Sequence, residues 1–479
     1  MVSMRALCIA VTCAALAACA EVGPDYKVPP QALVNAPAAN GAFVAGGSGG
    51  SAASDLPAAT NDPLPDHWWR LYDDPVLNGL IEKALASNVD LRAAQANLER
   101  SDALLAAART AREPDIAVDA STNYTQQSAQ AVLAHVQPPR HEIYNMGIGI
   151  SYDLDLFGGI RRGIEAASAD REAVVAARDL VRVNVAAQTA RAYADLCNAG
   201  NQLDILQQQI AVQQRRLALT RQMVAQGRAP SFTQDRDQGA IDNSRAQLAP
   251  LNARKLNAAF RLATLMGQPP EQYDPSLLAC HAPLALKTLI PAGDGRAMLS
   301  RRPDVRAAER QLAAATAQIG VQTAALYPDI KIGASIGSTG AAASFFTPLT
   351  NRFAVGPMVS WDLHRNAIRD RIEAARAQSR VSLAHFDSTV LSALRETETS
   401  LDNYAAALDR LQRLESARDA ARSVNERTDQ LWRGGKISGL EALDAQRNWL
   451  AAESAVAAAQ ADVNHDQIST FLALGGGWQ

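Results

Sequence analysis

The fold is decided by Pro114-Asp115-Ile116-Ala117-Val118-Asp119-Ala120-Ser121-Thr122-Asn123-Tyr124 and, after a polar loop, Tyr144-Asn145-Met146-Gly147-Ile148-Gly149-Ile150-Ser151-Tyr152-Asp153-Leu154. A matching pair follows later, Pro328-Asp329-Ile330-Lys331-Ile332-Gly333-Ala334-Ser335-Ile336-Gly337 and then Phe353-Ala354-Val355-Gly356-Pro357-Met358-Val359-Ser360-Trp361-Asp362-Leu363. A period of two sends Ile116, Val118, Ile148, Ile150, Ile336 and Val355 to one face of a strand. Asp119, Ser121, Asn145, Gly147, Lys331 and Ser335 go to the other. Strands of about ten residues, apolar on one side and small or polar on the other, mark a transmembrane β-barrel. A half-buried soluble hairpin alternates in the same way, so the rest of the chain has to decide between them.

Working outward, long helices flank both pairs. Helical patterns cover Pro75 to about Ser87 and Asp90 to about Arg112. No proline interrupts Gly159 to Gln226, which as one helix would run on the order of 100 Å. Gly200 marks a candidate irregularity there, and Pro250 predicts a kink in the return helix. The later half repeats the plan with Asn366 to about Trp432 and Leu440 to about Leu474. A shift of 214 residues lays Asp90, Arg92 and Pro114 on Asp304, Arg306 and Pro328; a shift of 208 lays Ile164, Gly227 and Gly267 on Ile372, Gly435 and Gly475. The chain therefore reads as a tandem duplication whose register drifts in the strand loops, where insertions are tolerated.

The N-terminus has the form of a secretory signal, one basic residue (Arg5) and an apolar run too short to span a bilayer as a helix. It ends Leu16-Ala17-Ala18-Cys19, which resembles the lipobox of bacterial lipoproteins, where the signal is cut before the cysteine and that residue carries the lipid. Ala20 in place of Asp implies, by the same resemblance, sorting to the outer membrane. A tract rich in Gly, Ala, Ser and Pro extends to about Pro65, an extended strap or flexible leader. The organisation expected is a signal peptide over 1–18, a lipid-anchored strap over 19–66, a first repeat over 67–267 with strands near 115–125 and 143–155, a linker over 268–295, and a second repeat over 296–479 with strands near 329–338 and 352–363.

A formal net charge of -3 argues against a nucleic-acid partner. No later apolar run reaches the roughly 18 residues of a spanning helix, so any crossing is by strands. Cys197 and Cys280 remain once the signal and Cys19 are set aside, and an oxidising compartment permits a disulfide between them or two free thiols. There is no phosphate loop, nucleophile elbow or metal-ligand spacing. His135 and His141 share a strand loop and read as loop residues, so the chain is expected to be no enzyme and to hold no metal or cofactor beyond the lipid on Cys19. Four strands cannot close a barrel, and open edges are not tolerated in lipid, so several chains must share one. Two copies give eight strands and three give twelve, the latter wide enough for a polar bore.

Nearly the whole mature chain is similar to the TolC/OprM-like outer-membrane factors, in particular their lipoprotein branch. The residues that carry the resemblance are Cys19 with Val22-Gly23-Pro24-Asp25-Tyr26, Arg301-Arg302-Pro303-Asp304-Val305-Arg306-Ala307-Ala308-Glu309, Tyr327-Pro328, Leu443-Asp444-Ala445-Gln446-Arg447, and Ala473-Leu474-Gly475-Gly476-Gly477-Trp478. It implies a homotrimer with a twelve-stranded barrel in outer-membrane lipid, continuous with a periplasmic α-helical barrel and an equatorial collar. It also implies service as the exit channel of a tripartite pump, with a periplasmic adaptor protein and an inner-membrane pump of the resistance-nodulation-division class. By the same resemblance Leu440, Asp444 and Arg447 form the periplasmic gate, and Gly227, Arg228, Gly435 and Lys436 are adaptor contacts. Gly439 departs from the family by standing where a larger residue is common, and Pro230 lies in the first-half turn. The competing readings are a lipid-anchored helical stalk and a duct for metal ions or proteins.

Overall fold

The computed structural model describes residues 21–44, 59–60, 62–126, 128–130 and 135–476. The expectations for the signal, for Cys19 and for the Gly/Ser tract around 46–51 lie outside those residues. Among the described residues there are six strands: β1 (Ala59–Thr60), β2 (Asp115–Thr125), β3 (His141–Asp153), β4 (Ile290–Pro291), β5 (Asp329–Gly340) and β6 (Asn351–Ser360). The α-helices are α1 (Pro75–Ser87), α2 (Val89–Thr110), α3 (Gly159–Ala225), α4 (Phe232–Ala246), α5 (Leu248–Leu265), α6 (Gly295–Arg301), α7 (Pro303–Ala324), α8 (Arg365–Arg433) and α9 (Gly439–Ala473). None of them is long and apolar enough to cross a membrane.

Two compact units draw on both halves of the sequence. The first comprises Met1–Pro29, Leu98–Val174 and Ala308–Phe386. It holds an antiparallel sheet in the order β2-β3-β5-β6. Its register lines up Ile116, Ile150, Ala334 and Val355 in one row and Asp119, Gly147, Gly337 and Arg352 in another, on opposite faces. β3 and β6 stop short of the expected ends. After β3, Asp155 turns the chain with a left-handed φ of 42°. Its carboxylate accepts from the amides of Ile160 (2.9 Å) and Arg161 (3.0 Å), which opens α3. After β6, Trp361 leaves the ladder and its Nε1 donates to the Leu326 carbonyl.

The strap is docked onto helices of this unit. Gly23, at φ +90, lies so close to Gly320 that a Cβ would sit 2.5 Å from its Cα. The neighbouring Arg162 side chain, only 3% exposed, meets Asp25 (2.6 Å), Glu165 (2.7 Å) and Glu21 (3.4 Å), and its Nε donates to the Val22 carbonyl. Tyr26 packs against Ala169, Ala313 and Ala314 and donates to Glu309 at 2.6 Å. Burial, reinforced by that carboxylate, pushes the phenol well above its usual range.

The second unit comprises Pro30–Asn97, Val175–Ala307 and Asp387–Gln479. Its core stacks Trp68 on Phe471 at 4.6 Å between ring centroids, with Tyr72 donating to Gln467 and Gln467 to Tyr404. β1 pairs in parallel with β4, which ties the strap to the linker. Arg302 closes the C-terminal end of α9. Its guanidinium makes a forked contact with Asp304 (3.0 and 2.6 Å), reaches Glu396 (2.9 Å) and donates to the Ala473 carbonyl (2.9 Å).

The expected irregularity at Gly200 is corrected by the structure, since α3 runs through it unbroken. The glycine is there for closeness, because a Cβ would lie 2.1 Å from the Cys280 carbonyl oxygen. Proline removes a helical hydrogen bond and collides with the carbonyl four residues before it. In keeping with this, the return helix divides between α4 and α5 at Gln247, just ahead of Pro250. Cys197 and Cys280 are disulfide-bonded with Cα atoms 4.8 Å apart, closing the linker onto α3 beside Gly200. His141 opens β3 rather than lying in the loop.

Candidate functional site

Two helix turns carry the expected site residues, and they share one geometry. The chain leaves α3 at Gly227 and α8 at Gly435, each with φ +68. The Arg228 amide reaches back to the Met223 carbonyl, and the Lys436 amide to the Leu431 carbonyl, both at 2.8 Å. These are Schellman caps, in which a left-handed glycine lets the following amide satisfy an orphan carbonyl. Gly227, Arg228, Gly435 and Lys436 are all exposed. A Cβ on either glycine would meet nothing within 4 Å, so backbone conformation, not crowding, selects glycine there.

α9 starts immediately after the second turn. The Ser438 hydroxyl accepts from the Glu441 amide (3.2 Å) while the Glu441 carboxylate accepts from the Ser438 amide (2.8 Å), a reciprocal capping box. A Cβ on Gly439 would lie 3.2 Å from Leu219 and 3.3 Å from the Trp432 indole nitrogen. The space that a larger residue would take at this position is already filled by Trp432 and Leu219.

Leu440 and Asp444 are half-buried and Arg447 is exposed. Asp444 lies 3.6 Å from Arg447. Its closer partner is Arg216 of α3, whose Nη1 donates to Asp444 Oδ1. The Arg216 side chain, 14% exposed, also donates through Nε to Asp237 of α4 at 3.1 Å. The second oxygen of Asp237 accepts from the Thr220 hydroxyl at 2.7 Å. One guanidinium thus ties α3, α4 and α9 together through two carboxylates, one nearly buried and one accessible to water. Sequence reasoning missed Arg216 and Asp237. Arg216 lies 228 positions from Asp444, and its own segment carries no mark beyond the Arg215-Arg216 pair.

Among the described residues no group of three His, Cys, Asp or Glu side chains is placed to hold a metal ion.

Comparisons with known proteins bear on the chain as a whole. The model of the outer membrane efflux protein family matches twice, over residues 80–268 and 296–476. Among solved structures, the outer-membrane channel OprN superposes with a TM-score of 0.84 at 31% identity, covering 95% of this chain and 99% of its own. The probable outer membrane lipoprotein SilC of Salmonella typhimurium is 25% identical over 466 residues, 97% of this chain and 96% of that protein. The toluene efflux pump outer membrane protein TtgF of Pseudomonas putida is 28% identical over 483 aligned positions, 97% and 95% respectively.

Proposed function

Because the chain belongs to the outer membrane efflux protein family and is an outer-membrane protein with a large periplasmic portion, we propose that it is the passive exit channel of a tripartite efflux pump. It conducts toxic small molecules from a periplasmic adaptor protein and an inner-membrane pump of the resistance-nodulation-division class to the outside. The name of the toluene efflux pump outer membrane protein TtgF supports solvents as cargo, and that of the probable outer membrane lipoprotein SilC supports lipid attachment at Cys19.

The observation that carries the reading is the sheet β2-β3-β5-β6. One face bears large apolar side chains left open in the single chain, with Val118 65%, Ile336 66% and Phe353 84% exposed. The other face is mainly small, polar or charged, with Gly147, Gly149, Ser151, Ser335, Asp119 and Lys331 among its residues and Met358 as an apolar exception. Such a sheet suits lipid outside and water inside, and its two edge strands need partners from other copies. Three copies give twelve strands and an open bore. A helical stalk with no passage would have no use for this exposed apolar face. The halves descend from a tandem duplication, each supplying one hairpin and one capped helix turn.

At the turns, threefold repetition makes a ring of Leu440, a ring of Asp444 and a ring of Arg447, with Arg216 holding each Asp444 against α3. The Leu440 ring constricts and the carboxylate ring attracts cations, while Arg216 sets how far the carboxylates reach into the passage. Gly227, Arg228, Gly435 and Lys436 offer the adaptor exposed backbone and two cations. The test is chemical crosslinking of the purified mature protein, followed by planar-bilayer recording. A trimer that conducts, and conducts more after Asp444→Ala, is expected. A monomer silent even as Asp444→Ala refutes the channel.

A further inference from the structure

The row Asp119, Gly147, Gly337 and Arg352 runs straight across all four strands on the polar face of the sheet. Its two middle positions have no side chain, so a long residue on β6 can lie across β5 and β3 toward β2. Arg352 does this. Its Nε donates to the Thr339 hydroxyl (3.1 Å) and its Nη2 to Asn145 Oδ1 (2.8 Å), while Nη2 also stands 3.5 Å from Asp119. The receiving groups are themselves fixed, since Asn145 donates to Asp119 (2.7 Å) and accepts from Thr339 (2.8 Å). A Cβ on Gly147 would lie 3.0 Å from Arg352 Nη2 and 3.1 Å from the Asp119 carboxylate. Glycine at 147 is therefore what lets the guanidinium lie flat.

Two of the guanidinium nitrogens are held in this way, while Nη1 has no protein partner among the described residues and the side chain is 41% exposed. The other cation on this face, Lys331, stands between two carboxylates, Asp329 at 3.2 Å and Asp153 at 3.6 Å. Arg352 faces one carboxylate, at 3.5 Å. A guanidinium stays charged at any working pH, and its planar fork suits carboxylate and sulfonate oxygens.

We propose that Arg352 is a selectivity-determining residue of the channel, a fixed cation laid on the bore wall whose open edge favours anionic groups and tempers the pull of the surrounding carboxylates on cations. This rests on the polar face being the lumen. In the trimer there are three such cations, and a Debye length of about 10 Å sets the range over which each acts on a passing ion. Screened interactions of that size change the ratio of potassium to chloride permeability about threefold when all three are removed.

The experiment is the reversal potential of the full mature lipoprotein in planar bilayers under a KCl gradient. Arg352→Gln raises the potassium preference about threefold, Asp119→Asn lowers it by a similar factor, and Arg352→Lys keeps the wild-type value. Gly147→Ala lifts the guanidinium off the wall, so conductance falls while the sign of the selectivity holds. A conducting wild type with an unchanged reversal potential in Arg352→Gln overturns the assignment and leaves the channel standing, whatever Asp119→Asn does. A silent wild type removes the channel and the assignment with it. If Arg352→Gln fails to assemble, Arg352→Met, which removes the charge and keeps much of the stem, decides by the same readout.

Discussion

Replacing Arg302 with Met keeps much of the apolar stem and removes the guanidinium, which tests whether that group closes the C-terminal end of α9. Three partners lose their donor: Asp304, Glu396 and the Ala473 carbonyl. The carbonyl keeps the Thr397 hydroxyl at 3.2 Å, so it is not orphaned. The two carboxylates are 25% and 45% exposed, so water replaces part of what they lose. Breaking a buried ion pair from one side costs about 3–5 kcal/mol, and this partial access to water puts Arg302→Met at the lower end, about 3 kcal/mol. Arg302→Lys keeps the charge but not the fork, and costs about half as much, roughly 1.5 kcal/mol. Far-UV circular dichroism of the detergent-solubilised protein should then show Arg302→Met melting about 5 °C below wild type, with Arg302→Lys between them. Glu396→Gln in the Met background should cost less than it does alone, because the two share one contact. A Met variant melting with wild type would refute the reasoning and make the contact a surface pairing of no consequence.

Reducing the disulfide, or replacing Cys197 and Cys280 together with Ser, releases a crosslink spanning 83 residues; chain entropy sets the loss at about 4.5 kcal/mol, read as a lower melting temperature under reductant and no reductant effect in the double variant. Gly200→Ala forces a methyl group onto the Cys280 carbonyl and should cost about 1–3 kcal/mol by overpacking, although alanine is the better helix former; the check is thermal melting beside Gly163→Ala, where a Cβ meets nothing within 4 Å and the substitution stabilises.

The strands were legible because Tyr144 to Asp153 alternates without a break and Ile116 to Tyr124 departs from alternation only at Ala117 and Thr122, and the observed register puts their residues on the faces that alternation requires. The long helices were legible because no proline interrupts them, and Pro250 marked where the return helix divides. Gly200 was misread, since a helix-weakening glycine looks the same whether the helix bends or another backbone presses against it. The segment Val22 to Tyr26 stood out as a motif, but its causes are pairings with Gly320, Arg162 and Glu309 that no local pattern contains. The site was partly legible. Leu440, Asp444 and Arg447 share a helix face by spacing alone, whereas Arg216 and Asp237 enter only through the packing of α3 and α4 against α9. The cysteine pairing could not be resolved from sequence because it depends on how the linker returns to α3.

The unbroken course of α3 and α8 has a consequence for how such a chain can change. A helix carries angular phase along its length, about 100° per residue. Deleting one residue from the middle of α3 would turn the part of the helix beyond it by that angle, and Arg216 would swing away from Asp444 of α9. Lengths can drift freely in the hairpin loops, as the six-residue difference between the two shifts records, but inside these helices only steps near whole pairs of turns, about seven residues, restore the phase. The long helices therefore act as shafts whose length is quantised, and the turn residues are held to a rotational setting imposed dozens of residues away.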